Sequence, residues 1–241
     1  MISQMRDFPE TFQPSPCPRT VAVMQPYFYP YAGYFRLFAA AGTFVILDDV
    51  QFPRRGWVHR CRVPGPTGAA AWLTLPLIRQ PRETRIKDLA FAPAAREILD
   101  GRLARLPWLA QARGPLADRV HAHLYGSLDS VVTFLEVGLQ LVADALDLPA
   151  RIVRSSDFGL DSALRGQDRV IALARAVDGQ VYVNAPGGRA LYQTEVFRRR
   201  GLELKYLPPY DGAFRYLLPT LLQSDASAIR DDILRTTFLT D

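Results

Sequence analysis

Cysteine is nearly missing from this sequence. Cys17 and Cys61 are the only two in 241 residues, too few for a disulfide framework, and a chain of this length buries a core without one. Lysine is equally scarce, with only Lys87 and Lys205 among 29 basic side chains. A lysine nucleophile or Schiff base therefore has almost nowhere to sit, whereas planar guanidinium forks for carboxylate or phosphate are available throughout. No apolar run approaches the roughly 20 residues of a membrane span, and the first ten residues carry Arg6, Asp7 and Glu10 where a signal peptide needs an apolar centre. A cytoplasmic location without a membrane span is expected. Histidine occurs three times, and His121 and His123, two apart on a predicted helix, do not share a face, so no metal is expected. The net charge of +5 is spread along the chain with no concentrated stripe, so a nucleic-acid partner is not expected.

What is present is the balance of a folded chain, 49% hydrophobic and 22% charged. Residues 1–18 hold four prolines and no periodic apolar face, which predicts a flexible leader before one domain over 19–241. Apolar, β-branched runs predict strands at 20–25, 43–47, 151–154, 181–183 and 203–206 in one mostly parallel sheet. Helices are predicted at 33–41, 167–177, 189–200 and 226–234, alternating with the strands as β-α-β crossovers. A hairpin excursion is predicted about 51–77, from strands at 58–63 and 70–75, and two or three helices about 93–147, broken at Pro107 and Pro115. The expected fold is a three-layer, Rossmann-like α/β architecture with a helical insertion and a small β-hairpin.

Chemistry in such a fold gathers at the carboxyl ends of the strands. The segment MQPYFYPYAGYFRLF at 24–38 joins the first strand to the first helix. Within it Gln25, Tyr27, Tyr31 and Tyr34 either wall a ligand pocket or pack against neighbouring loops, and Gly33 permits close backbone approach. Asp48, Asp49 and Gln51 follow the second strand. Two adjacent carboxylates repel unless compensated by Arg54, Arg55 or Arg60, a metal or a substrate amine, and in extended chain only one of them faces a ligand. The run RRGWVHRCR at 54–62 offers guanidinium forks, Trp57 to stack on a ring and His59 to move a proton near neutral pH, against the alternative of a solvated basic hairpin. NAPGGR at 184–189 follows a strand and opens a helix, where the backbone of Gly187 and Gly188 with Asn184 and Arg189 suits a phosphate, or makes a plain turn. It carries no dinucleotide or Walker fingerprint.

Taken together, MQPYFYPYAGYFRLF, FVILDDVQFPRRGWVHRCRV at 44–63, WLTLPL at 72–77 and DRVIALARAVDGQVYVNAPGGRALY at 168–192 resemble the WbqC-like protein family of surface-polysaccharide (O-antigen) and secondary-metabolite gene clusters. The strand and Pro30-Tyr31-Ala32-Gly33-Tyr34 turn are also similar to the P-x-x-G-H turn of nucleotidyltransferase (HUP-like) folds, with Tyr31 and Tyr34 where those folds carry histidines. The resemblance implies a transferase or amide-forming enzyme that attaches an acyl or aminoacyl group to an amino-sugar or metabolite acceptor. The alternative it leaves is a non-catalytic accessory protein recognising a nucleotide-activated sugar or carrier-bound intermediate. On the first reading Asp48, Asp49 and His59 carry the chemistry on a small-molecule or carrier-bound substrate, and the tyrosines and arginines bind it. No residue names a cofactor or an oligomeric state. Asp49 and Arg60 are expected to matter for ligand handling more than for folding.

Overall fold

The computed structural model describes residues 19–65 and 67–241; the expected leader and Cys17 lie outside them. The chain opens with β1 (Thr20–Met24), α1 (Ala32–Ala40) and β2 (Thr43–Ile46), the strand-turn-helix-strand unit expected. A hairpin of β3 (Arg60–Pro64) and β4 (Ala70–Thr74) follows. Four helices come next: α2 (Ala95–Leu103), α3 (Pro107–Gln111), α4 (Pro115–Leu124) and α5 (Val131–Ala145). Pro107 and Pro115 open α3 and α4, because proline fits the first helical turn where its missing N–H is not needed. The chain then alternates through β5 (Arg151–Arg154), α6 (Gly166–Ala176), β6 (Val181–Asn184), α7 (Thr194–Arg199) and β7 (Glu203–Tyr206), and closes with α8 (Leu217–Gln223) and α9 (Ala226–Thr236).

The five long-range strands form one sheet in the order β5-β2-β1-β6-β7, every pairing parallel. Alternate residues feed two apolar layers. Ala22, Phe44, Ile46 and Val183 face one core with α1 and α5. Val21, Val23, Val45, Tyr182 and Leu204 face the other with α6 and Phe197 of α7. Both faces are therefore covered, and the central strands β1, β2 and β6 read as near-continuous apolar runs, whereas the edge strands β5 and β7 carry charged residues and are partly exposed. All nine residues of α1 are buried, and Phe38 stacks on Phe44 of β2 at 4.1 Å. Even Arg36 is buried, its guanidinium donating to the Thr236 and Pro208 carbonyls and so tying α1 to the end of α9.

Two predicted helices differ. That at 189–200 is shortened to α7, preceded by a 3₁₀ turn over Pro186–Leu191, because Gly187 and Gly188 weaken the first turn and the Tyr192 ring turns in against Phe197. In the 93–147 region the two proline breaks leave three helices before Ser130 caps α5 by accepting from the Thr133 N–H, so four helices stand where two or three are predicted. α8 is an element the pattern did not predict; its Pro219 sits in the first turn, where it is tolerated.

Candidate functional site

β2 and β5 lie side by side in register, Ile46 opposite Arg154, so their carboxyl-terminal extensions emerge together. Asp48 and Asp49 leave β2 beside the Ser155–Phe158 turn that leaves β5. Asp48 is fully buried. Its carboxylate accepts from the Ser155 hydroxyl at 2.9 Å, the Ser156 N–H at 3.0 Å and the Ser156 hydroxyl at 2.8 Å, while its own N–H donates to Ser155 Oγ. Asp49, in the bend that follows, converges on the same serine. It accepts from the Ser155 hydroxyl at 2.7 Å and is clamped by the Arg169 guanidinium in the first turns of α6, both side chains being 8% exposed. Ser155 has a single hydroxyl proton, which is shared between the two carboxylates.

The compensation expected from Arg54, Arg55 or Arg60 thus comes from Arg169, 120 residues further along the chain. Arg54 donates instead to the Gln80 carbonyl, and Arg60 to the carbonyls of Arg55 and Gly56.

In front of Asp49 lies a cavity of about 560 Å³, within the range of small-molecule sites. Asp49, Gln51 and Ser156 line it from the strand ends, Arg85 and Lys87 from the segment after the hairpin, and Arg165, Gly166 and Arg169 from the start of α6. Gln51 is pinned to this wall by a backbone bridge to Arg85 and a side-chain bond to the Arg82 carbonyl. Among the described residues Arg85, Lys87 and Arg165 have no carboxylate partner, and the open amino terminus of α6 adds its positive dipole. Asp49 is a fixed carboxylate on one wall; Arg85, Lys87 and Arg165, with the exposed Glu83 among them and Val50, Leu160 and Leu164 between, make the rest net cationic, an arrangement suited to a molecule carrying an amine or hydroxyl and an anionic group.

Of the residues singled out in the sequence, the cavity gathers Asp49 and Gln51. Gln25, Tyr27 and Tyr34 form a packed cluster: the Tyr34 hydroxyl donates to the Gln25 carbonyl at 2.7 Å, its ring lies 5.2 Å from that of Tyr27, and burial holds its pKa above the ordinary phenol value. Tyr31 lies against Tyr210 at 5.5 Å, over Gly33. A Cβ on Gly33 would overlap the Tyr31 ring and stand 2.6 Å from Tyr210 Cγ, so this glycine accommodates aromatic packing. Asn184 is buried after β6 with its side-chain oxygen on the Ala185 N–H; Gly188 is pressed against its amide and Gly187 is open. Arg189 bonds Thr240 and the Asp241 carbonyl and covers the Tyr206 ring at 4.5 Å. Trp57, Arg60 and His59 stay with the hairpin. Burial, then the Arg60 charge, pulls the His59 pKa down to about 4, so the ring is neutral at pH 7, and its Nδ1 is buried without a partner. The buried Cys61 thiol is pushed up by desolvation, which removes it as a nucleophile.

The sequence patterns do not single out Arg85, Lys87, Ser155, Ser156, Arg165 or Arg169. The signal for the serines was available: they follow the predicted strand 151–154 as Asp48 and Asp49 follow 43–47. Nothing in the local sequence marked Arg169 among so many arginines.

The family model described as the WbqC-like protein family matches residues 25–217, and the chain belongs to that family. The chain is also 26% identical over 200 residues to a protein of Mycobacterium tuberculosis strain H37Rv, "Uncharacterized protein Rv1507c", an alignment covering 80% of this chain and 84% of that one. No solved structure matches.

Proposed function

We propose that this WbqC-like protein is a transferase that joins an acyl or aminoacyl group to an amine or hydroxyl of an amino-sugar or metabolite acceptor, in surface-polysaccharide or secondary-metabolite biosynthesis. The observation that carries the reading is the cavity at the carboxyl ends of β2 and β5, where the oriented Asp49 carboxylate shares a net cationic lining with the exposed Glu83 and with three cations that have no carboxylate partner among the described residues. Asp49, fixed by Arg169 and Ser155, accepts from the acceptor's N–H or O–H so that the nitrogen or oxygen lone pair faces the donor's carbonyl carbon. As the new bond forms, the bond to the donor's activating group breaks, the activating group leaves as an anion and the acceptor's proton is lost to solvent. Lys87, Arg85 and Arg165 hold the donor's phosphate or carboxylate and stabilise charge that develops on it, which is electrostatic preorganisation. Asp48 acts as a positioning residue by fixing the Ser156 hydroxyl at the cavity wall.

The test is to incubate the protein with amino-sugar acceptors and activated acyl or aminoacyl donors and to follow the acceptor's mass. A mass gain that is lost in Lys87→Met, with the melting temperature unchanged, supports the reading. Saturable binding with every ligand returned unaltered would favour the non-catalytic accessory protein.

A further inference from the structure

Between Asp49 and Glu83 the sequence contains no carboxylate and six arginines, 54, 55, 60, 62, 79 and 82. The structure stacks two of them on a tryptophan of the hairpin, and two more, Arg54 and Arg55, are exposed in the turn that precedes it. Across β3 and β4, Arg62 is paired directly with Trp72, and Arg60 lies diagonally from it. Their guanidinium carbons stand 5.0 and 4.1 Å from the indole centroid. Trp57 lies 5.0 Å from Trp72, and each indole is 39% exposed, whereas Cys61, Val63 and Leu73 on the opposite face are buried. Arg60 also bonds the carbonyls of Arg55 and Gly56, which draws the 54–56 turn onto the same surface. None of Arg54, Arg55, Arg60 and Arg62 has a carboxylate partner among the described residues.

We propose that this hairpin face docks the protein on an anionic lipid bilayer, with Trp57 and Trp72 at the headgroup level and the arginines on lipid phosphates. The inference is independent of the cavity and of its substrate. Arg60 and Arg62 on the tryptophan face and the exposed Arg54 and Arg55 in the adjoining turn, none paired with a carboxylate among the described residues, call for a polyanion. The aromatic geometry selects among polyanions. Single-stranded nucleic acid needs free ring faces on which successive bases stack, but Trp72 is already covered by two guanidinium groups and Trp57 is tilted 58° from it. An interfacial indole needs no stacking partner, only an apolar body in the acyl boundary and a polar edge in the headgroups. Arginine supplies the long apolar stem and charged tip that suit the same depth.

The experiment is vesicle flotation with the full chain. The probes are vesicles of phosphatidylcholine alone and of phosphatidylcholine mixed with phosphatidylglycerol, at low and high salt, with a single-stranded thymidine oligonucleotide as competitor. The protein is expected to float with the phosphatidylglycerol vesicles at low salt, to be released at high salt, and to ignore phosphatidylcholine. Each of Arg55→Gln and Arg62→Gln should weaken binding about fivefold, and Trp57→Ala should weaken it without changing salt dependence. These side chains are exposed and form no ion pair, so the circular-dichroism melt should be unchanged. The proposal is overturned if the wild type fails to float with phosphatidylglycerol vesicles, if the arginine variants bind as the wild type does, or if the oligonucleotide strips the protein from the vesicles by occupying the same arginines.

Discussion

Asp49 and Arg169 are partners across 120 residues of chain, with 8% of each side chain exposed. At that burial, removing one partner strands a charge, which costs about 3–5 kcal/mol. Asp49→Asn and Arg169→Gln are each expected to melt several degrees below the wild type. The double variant should melt higher than the sum of the two losses predicts, with a coupling of about 0.5–3 kcal/mol; additive losses would mean that the pair does not form in solution. Asp49 therefore serves folding as well as the ligand handling proposed for it, and its variants must be judged by activity per folded molecule. His59 gives a test of opposite chemistry. Its pKa is depressed from 6.5 to about 4, so as pH falls through 6.5 the unfolded chain takes up a proton that the folded chain refuses until about 4. Stability is expected to fall across that window by about 1–2 kcal/mol from this group, solvent at the half-buried ring screening part of the effect, and to level off below it. Burial lowers the His123 pKa in the same direction. In His59→Phe, the plot of melting temperature against pH should be shallower between 6.5 and 4; an unchanged slope would assign the acid sensitivity elsewhere.

At the scale of elements, glycines separate packing from ligand approach. Gly33→Ala places a methyl group in the Tyr31 and Tyr210 rings at the start of α1 and should cost about 1–3 kcal/mol. Gly187→Ala meets nothing within 4 Å and should stay within about 0.5 kcal/mol of wild type. Chemical denaturation of both variants checks this; equal losses would mean that the 3₁₀ turn after β6 is held differently from its packing here. The central strands β1, β2 and β6 and α1, α6 and α9 were legible in the sequence because burial on both faces writes near-continuous apolar runs and covering helices write a 3.6-residue period, while the edge strands β5 and β7 were legible from their place between helices. The helix expected at 189–200 was legible only in its second half, because Gly187 and Gly188 just before it favour a 3₁₀ turn and the inward turn of Tyr192, a tertiary contact, delays the α-helix to Thr194.

For the whole molecule, the strand order β5-β2-β1-β6-β7 leaves two places for a ligand at the carboxyl edge. One is the switch point between β1 and β6, to which the Gln25–Gly33 and Asn184–Arg189 segments lead. The other is the cavity beyond β2 and β5. The sequence pointed to that edge through Asp48 and Asp49, but strand-end position alone does not rank the two places. What separates them is tertiary. Tyr31 and Tyr210 pack together over Gly33 and Asn184 turns back onto its own backbone, whereas the register of β2 with β5 brings the aspartates to Ser155 and Ser156, and α6 delivers Arg169. The most direct measurement is a crystal structure with a bound acceptor or donor fragment taken from the transferase screen. Electron density is expected against Asp49, with the anionic group on Lys87 and Arg165. Density seated between Tyr31 and Gly188 at the β1–β6 switch point, with the cavity unchanged, would contradict the assignment.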